Sequence, residues 1–281
     1  MKYKYAFVTS FFVNMYDSQY KKTWSPEEEK TYLGGWVKSF LKFKNDVNYQ
    51  AFIFHNGLQK ETIKELSINN INFIDVSKEI SQLPKLSPHD LRFLLYPKFM
   101  DSHNKFDFFF FTDARDVKII NFSEEELLSL NYKKVFKTLK RKKIEDVLFV
   151  QREYGVVSGW PVSYDSPKLK DNEFMLRMLN IAYPEEEIGF FKEKITLNCG
   201  LFGGHKKVIR GFIEDIKNEI IRINPTKSFF EGKNPIILCV DMAVFNYIVY
   251  KKYSESFYTG FPFQNVYSAN DDNPFSWFHH K

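Results

Sequence analysis

The chain has 281 residues, enough for one large domain, and its 44% hydrophobic against 27% charged residues exclude an intrinsically disordered chain. A formal charge of +5 permits a phosphorylated ligand without demanding nucleic acid, and none is expected as a partner. Two cysteines, Cys199 and Cys239, are too few for a disulfide framework or a cysteine-built zinc site, so a reducing compartment is the simpler expectation.

Aromatic residues make up 18% of the chain, with 31 phenylalanines, which predicts a core packed with rings. The first residues lead directly into a strand and lack the apolar core of a signal peptide, and no apolar run is long enough to span a bilayer. These features predict a cytoplasmic protein, with the cytoplasmic face of a membrane as a contact surface.

In chain order, the first expected strand covers 3–9 and presents Thr9 and Ser10 at its carboxyl end. A helix opens at Ser25-Pro26-Glu27-Glu28-Glu29, with a hydroxyl cap, proline at the first position and acids on the positive end of the dipole. Leu33, Trp36, Val37, Phe40 and Leu41 mark its buried face. Strands are expected over 51–54 and 71–74, joined by a short helix near 61–66, a strand and helix alternation typical of nucleotide-binding halves. Ser87-Pro88-His89-Asp90 opens the next helix, which Pro97 is expected to kink or shorten.

Phe108-Phe109-Phe110-Phe111 cannot alternate between core and solvent, and so predicts a strand buried on both faces, as in a parallel sheet. It runs into Asp113-Ala114-Arg115-Asp116. Ligands of open parallel sheets bind outside the carboxyl ends of the strands, and two acids there suit a hard divalent cation, although an Asx-turn or helix cap uses the same residues. Ser123-Glu124-Glu125-Glu126 opens another helix.

The basic run of Lys133, Lys134, Lys137, Lys140, Arg141, Lys142 and Lys143 reads first as a solvated helix face and second as a peripheral contact with anionic lipid. A strand over 147–150 leads into a long loop over 151–170 that carries Tyr154, Trp160 and Tyr164, either packing residues or platforms for sugar rings. A helix is expected over 173–181. The stretch 195–204, holding Asn198, Gly200, Gly203 and Gly204, predicts strand, sharp turn and strand edge, with glycine permitting close ligand approach, or an edge-strand bulge. An amphipathic helix carrying Val208, Ile209, Phe212, Ile213, Ile216, Ile220 and Ile223 follows, and another begins at Asp241.

The order of these segments, buried strand into Asp113-Ala114-Arg115-Asp116, then Asn198-Cys199-Gly200-Leu201-Phe202-Gly203-Gly204, then Asp241-Met242-Ala243-Val244-Phe245-Asn246, resembles nucleotide-sugar glycosyltransferases of the GT-A fold. The resemblance implies an α/β fold with a mostly parallel central sheet, helices on both faces and a smaller acceptor-side sheet. It implies one domain over 1–281, with a nucleotide-binding half over 1–120 and an acceptor-binding half with a C-terminal tail over 121–281. Arg115 stands where the common D-x-D motif has aspartate, so the metal role passes to Asp113 and Asp116 together in a D-x-R-D variant.

The implied cofactor is Mn²⁺ or Mg²⁺, the donor a UDP- or GDP-sugar, and the acceptor a glycan or lipid-linked glycan. Thr9 and Ser10 would border the nucleotide, Arg92 and Gly200 would face the donor, and Arg115 would contact phosphate or pair with an acid. Asn198 and Asp241 would line the reacting sugar, Asp241 as general base, as hydroxyl-binding group or, outside the family, as a helix cap. His279 or His280 would complete the metal site, with Lys281 near the phosphates. Two alternatives stay open: a binding module without turnover, and a haloacid-dehalogenase-like phosphohydrolase, to which Asp113-x-x-Asp116 is superficially similar.

Overall fold

The computed structural model describes residues 3–13, 15, 23–129, 143–152, 156–157, 160–161, 168–223, 229–231, 234–236, 239–260, 262–263 and 276–280. Strand β1 (Tyr5–Phe11) is followed by α1 (Pro26–Phe40), β2 (Tyr49–His55), α2 (Lys60–Leu66), β3 (Ile71–Asp75), α3 (Ser77–Ser81), α4 (Pro88–Ser102), β4 (Phe108–Asp113) and β5 (Val117–Ile119). Then come α5 (Glu124–Ser129), β6 (Leu148–Arg152), the hairpin β7 (Val156–Val157) and β8 (Trp160–Pro161), α6 (Glu173–Ala182), α7 (Glu185–Ile188), β9 (Leu197–His205) and α8 (Lys206–Ile223). The last described elements are β10 (Phe229–Glu231), β11 (Asn234–Ile236), α9 (Asp241–Lys252), β12 (Phe257–Tyr258) and β13 (Phe278–His280).

Seven strands form one sheet in the order β12-β6-β9-β4-β1-β2-β3. Strand β9 runs antiparallel to both β4 and β6, and the other pairings in the sheet are parallel. Because β1 is flanked by β2 on one side and β4 on the other, the connections diverge at its carboxyl end, the switch point at which open α/β sheets form their ligand crevice. Three two-stranded ribbons, β5 with β13, β7 with β8 and β10 with β11, lie outside this sheet.

The phenylalanine run divides between two cores. Phe108 and Phe110 pack with Tyr5, Phe7, Trp36 and Phe278 on the α1 face, whereas Phe109 and Phe111 pack with Phe93, Tyr96, Phe202 and Phe245 beneath α4, α8 and α9. Phe110 meets Phe7 at 5.6 Å, Phe122 at 5.0 Å and Phe278 at 5.5 Å between ring centroids, tying the sheet to the C-terminal strand. Truncating such a buried ring costs about 3–5 kcal/mol. A Phe110→Ala variant is therefore expected to lose that much in urea unfolding; a loss below about 1 kcal/mol would show that the two layers are not knit through this ring.

Local signals explain the helix starts. Ser25 accepts the Glu28 N–H at 3.4 Å while Glu28 accepts the Ser25 N–H at 3.0 Å, a complete capping box, and Ser87 accepts the Asp90 N–H at 3.1 Å. Pro97, in contrast, does not end α4, which continues to Ser102. Proline removes one backbone bond, but α4 is buried continuously from Asp90 to Pro97 and tertiary packing outweighs that loss.

The stretch 195–204 also departs from expectation. It forms no sheet edge, because β9 lies between β4 and β6, but its register with β6 jumps from Phe202 opposite Val150 to Asn198 opposite Gln151, a bulge-type irregularity within the sheet and not at an edge. Gly203 and Gly204 are set by sheet packing: a Cβ on Gly203 would lie 2.3 Å from the Phe110 ring, and one on Gly204 would lie 2.8 Å from the Val147 carbonyl.

Among the described residues no helix is long and apolar enough to cross a membrane. The basic positions 133–142, and with them the expected lipid contact, lie outside the described residues, as do Tyr154 and Tyr164. Trp160 enters only as backbone of β8.

Candidate active site

The carboxyl ends of β1 and β4 place Ser10 opposite Asp113 in parallel register, and β9 brings its amino-terminal residues, Asn198 to Gly200, to the same edge. Thr9 does not face this crevice. It is fully buried and its hydroxyl donates to the Thr112 carbonyl at 2.8 Å, while the Thr112 hydroxyl accepts the Trp36 indole N–H at 2.8 Å. The expected nucleotide contact at Thr9 is thus corrected to an internal tie, with Ser10 left at the crevice margin.

Arg92 is the hub of the site. Rising from α4, its guanidinium donates to Asp113 at the end of β4, to Asp241 Oδ2 at the start of α9 (3.1 Å) and to the Cys199 carbonyl on β9 (3.3 Å). Arg92 is only 4% exposed, and an Arg fork of this kind matches two carboxylates and a carbonyl with fixed geometry. Burial works against its charge, but Asp113 and its other neighbours more than restore it, so it stays protonated throughout.

Asp241 is 3% exposed and opens α9, where its Oδ1 accepts the Met242 N–H at 2.8 Å. Burial pushes its carboxyl up, yet Arg92, His89 and the two thiol hydrogen bonds outweigh that and hold it below the ordinary range. Asp90 is different. Fully buried at the start of α4, it accepts the Val240 N–H at 3.0 Å, joining the beginnings of α4 and α9.

Burial first, and then the charge on Asp241, push Asp90 up to about 8 from an ordinary 3.8. Its folded value is raised, so the native chain holds a proton that the unfolded chain lacks, and stability falls as pH rises from about 4 to about 8. Asp90→Asn keeps an acceptor for Val240 and removes the titration. The wild-type melting temperature should therefore fall relative to this variant between pH 5 and 8; parallel curves would refute the assignment.

At the acidic corner, Asp116 pairs with Arg115 at 3.4 Å, and the Arg115 guanidinium lies over the rings of Trp24 (4.6 Å) and Tyr32 (5.4 Å). Arg115 is thus committed to ring faces and the turn, the second of its expected roles. Asp113 and Asp116 keep 29% and 33% of their side-chain surface, so both offer hard carboxylate oxygens at the crevice, a donor set that suits Mg²⁺ or Mn²⁺. Each is neutralised by a guanidinium.

The C-terminal strand reaches this corner. In the antiparallel register of β13 with β5, His279 lies opposite Lys118 and His280 opposite Val117, immediately after Asp116. Trp277 anchors the strand, its indole donating to Glu126 at 2.8 Å and its carbonyl accepting the Ile120 N–H at 2.8 Å. His279 is 3% exposed; the side chain of His280 and all of Lys281 lie outside the described residues.

Among the described residues, the group of three ligand-type side chains whose atoms lie within 4.8 Å of one another is Asp90, Cys239 and Asp241, and Asp113, Asp116 and His279 do not form one. Asp90 already binds Val240, and Cys239 donates to Asp241 at 3.2 Å, so the group is a hydrogen-bonded polar knot between two helix starts.

No family model and no curated protein matches the sequence. Among solved structures, the chain is similar to the galactosyltransferase LgtC, crystallised in complex with donor and acceptor sugar analogues, at a TM-score of 0.50 and 13% identity over 98% of this chain and 86% of that one. The chain has the GT-A fold. Within the GT-A frame, Arg92, Asp113, Asp116, Asn198, Gly200 and Asp241 come from four segments to one edge of the sheet.

Sequence reasoning missed four residues that build this GT-A crevice. Asp90, Cys199 and Cys239 surround Asp241, and Asn246 bridges α9 to β9, its amide accepting the Leu197 N–H and donating to the Leu197 carbonyl, both at 2.8 Å. A polar residue on the apolar side of a helix was the available signal for Asn246. Asn198 itself accepts the Gly200 N–H at 2.6 Å, which fixes the backbone at the crevice.

Proposed function

We propose that the protein is a divalent-metal-dependent glycosyltransferase that moves a sugar from a nucleoside-diphosphate sugar to a hydroxyl of a glycan or lipid-linked glycan. The supporting observation is that one buried arginine, Arg92, ties the metal-type acid Asp113 to Asp241 and β9 at the crevice of a GT-A sheet. Asp113 and Asp116 would hold the cation, with His279 or His280 from β13 completing the set. When bound, Mn²⁺ or Mg²⁺ would neutralise charge on a departing nucleoside diphosphate.

The chain's own residues supply the rest of the proposal. Ser10 borders the nucleotide, Arg92 stabilises anionic charge at the donor, Lys281 serves the phosphates, and Asn198 with Gly200 presents a fixed backbone to the sugar. Arg115 holds the turn that presents both acids. UDP- and GDP-sugars are the donor class, and the site belongs to a single functional unit with a nucleotide half and an acceptor half.

A panel of UDP- and GDP-sugars with Mn²⁺ and oligosaccharide acceptors tests this by mass spectrometry. Glycosylated product together with released nucleoside diphosphate is the expected result; neither from any donor would overturn it. A binding module without turnover is the second reading, favoured by the guanidinium pairing of both acids, and it predicts nucleotide binding without product.

A further inference from the structure

The chain has only two cysteines, and both donate to the same carboxylate. Cys199, on β9, donates to Asp241 Oδ2 at 3.0 Å, and Cys239, just ahead of α9, donates to Asp241 Oδ1 at 3.2 Å. The Met242 N–H occupies Oδ1 at 2.8 Å and Arg92 occupies Oδ2 at 3.1 Å. A carboxylate has about four lone-pair positions. Here each oxygen receives two donors.

We infer that Asp241 acts as a fixed anion and not as a proton acceptor, and that Cys199 and Cys239 are positioning residues that hold it, and through it Arg92, at the donor end of the crevice. The role given to Arg92 rests on the glycosyltransferase reading. A general base needs a free lone pair within hydrogen-bond reach of the acceptor hydroxyl. Asp241 offers one only by releasing a thiol or the guanidinium, in a site almost closed to water.

The thiols suit this task. Burial and the Asp241 charge push both well above the ordinary thiol range, so each keeps its proton and remains a donor. Cys199 is tied at four points, its N–H meeting Met242 Sδ at 3.3 Å, its carbonyl and its sulfur each accepting from Arg92 (3.3 and 3.2 Å), and its thiol donating to Asp241. Asp241, Arg92 and the β9 backbone therefore form one rigid unit, and a shift in the carboxylate moves the guanidinium that faces the donor.

Two measurements test the inference. The S–H infrared stretch of each thiol, assigned with single Cys199→Ser and Cys239→Ser variants, should lie at the low frequency of a strong donor and rise in Asp241→Asn; bands that do not move overturn the inference, whatever reaction the protein catalyses. In steady-state transfer, the Cys199→Ala/Cys239→Ala double variant should lose about tenfold in kcat with KM for donor little changed, and the Ser/Ser variant should recover most of it. A double Ala variant with wild-type kcat, or a faster one because Asp241 has been freed as a base, overturns it. Shifted infrared bands with no transfer in the wild type would fault the glycosyltransferase reading and leave the held carboxylate standing.

Discussion

Replacing Arg92 with methionine is expected to destabilise the protein by about 3–5 kcal/mol, the cost of leaving one member of a buried ion pair uncompensated. Arg92 and Asp241 are 4% and 3% exposed, so solvent does little to compensate the charge that Asp241 would be left with. The double variant Arg92→Met/Asp241→Leu should recover much of the loss, because it removes both charges together. Urea unfolding of the three proteins decides the matter. A loss below about 1 kcal/mol in the single variant would place Arg92 among surface-type pairs and remove its role as the junction of α4, β4, β9 and α9.

The second large effect concerns the acidic corner. Asp113→Asn and Asp116→Asn should each lower transfer by about 100-fold or more, since an amide is a poorer ligand for a hard cation than a carboxylate. Both side chains are about one-third exposed, so circular dichroism and urea midpoints should change little. Asp113→Asn also leaves Arg92 its pair with Asp241. Activity retained in both variants after chelation of divalent metal would contradict the proposed role.

What the sequence disclosed was local. The caps at Ser25 and Ser87 act within three residues, and the run from Phe108 to Phe111 announces its own burial on both faces, so these elements were legible from spacing alone. The order of acidic turn, Asn198 segment and Asp241 also sufficed to suggest the GT-A fold. The Arg92 to Asp241 contact joins positions 149 apart, and the thiols of Cys199 and Cys239 meet one carboxylate from different elements; periodicity carries no information about such pairings.

Several residues were ambiguous in kind. Gly203 and Gly204 look the same in sequence whether they admit a ligand or, as here, a phenylalanine ring and a carbonyl. Thr9 at a strand end serves equally as a ligand contact or as a donor to Thr112, and burial chose the second. Pro97 showed the opposite balance, with the packing of α4 overriding a local helix breaker. Placement of β13 against β5 depended on a long-range register that brings His280 beside the residue after Asp116.

The central claim is that Asp113 and Asp116 hold a cation that in turn holds a pyrophosphate. Isothermal titration of UDP and GDP into the protein, with Mn²⁺ and then with excess chelator, tests it most directly. The account predicts nucleotide binding that requires Mn²⁺ and disappears in the Asp113→Asn/Asp116→Asn variant; equal binding with chelator present, or in that variant, would contradict it.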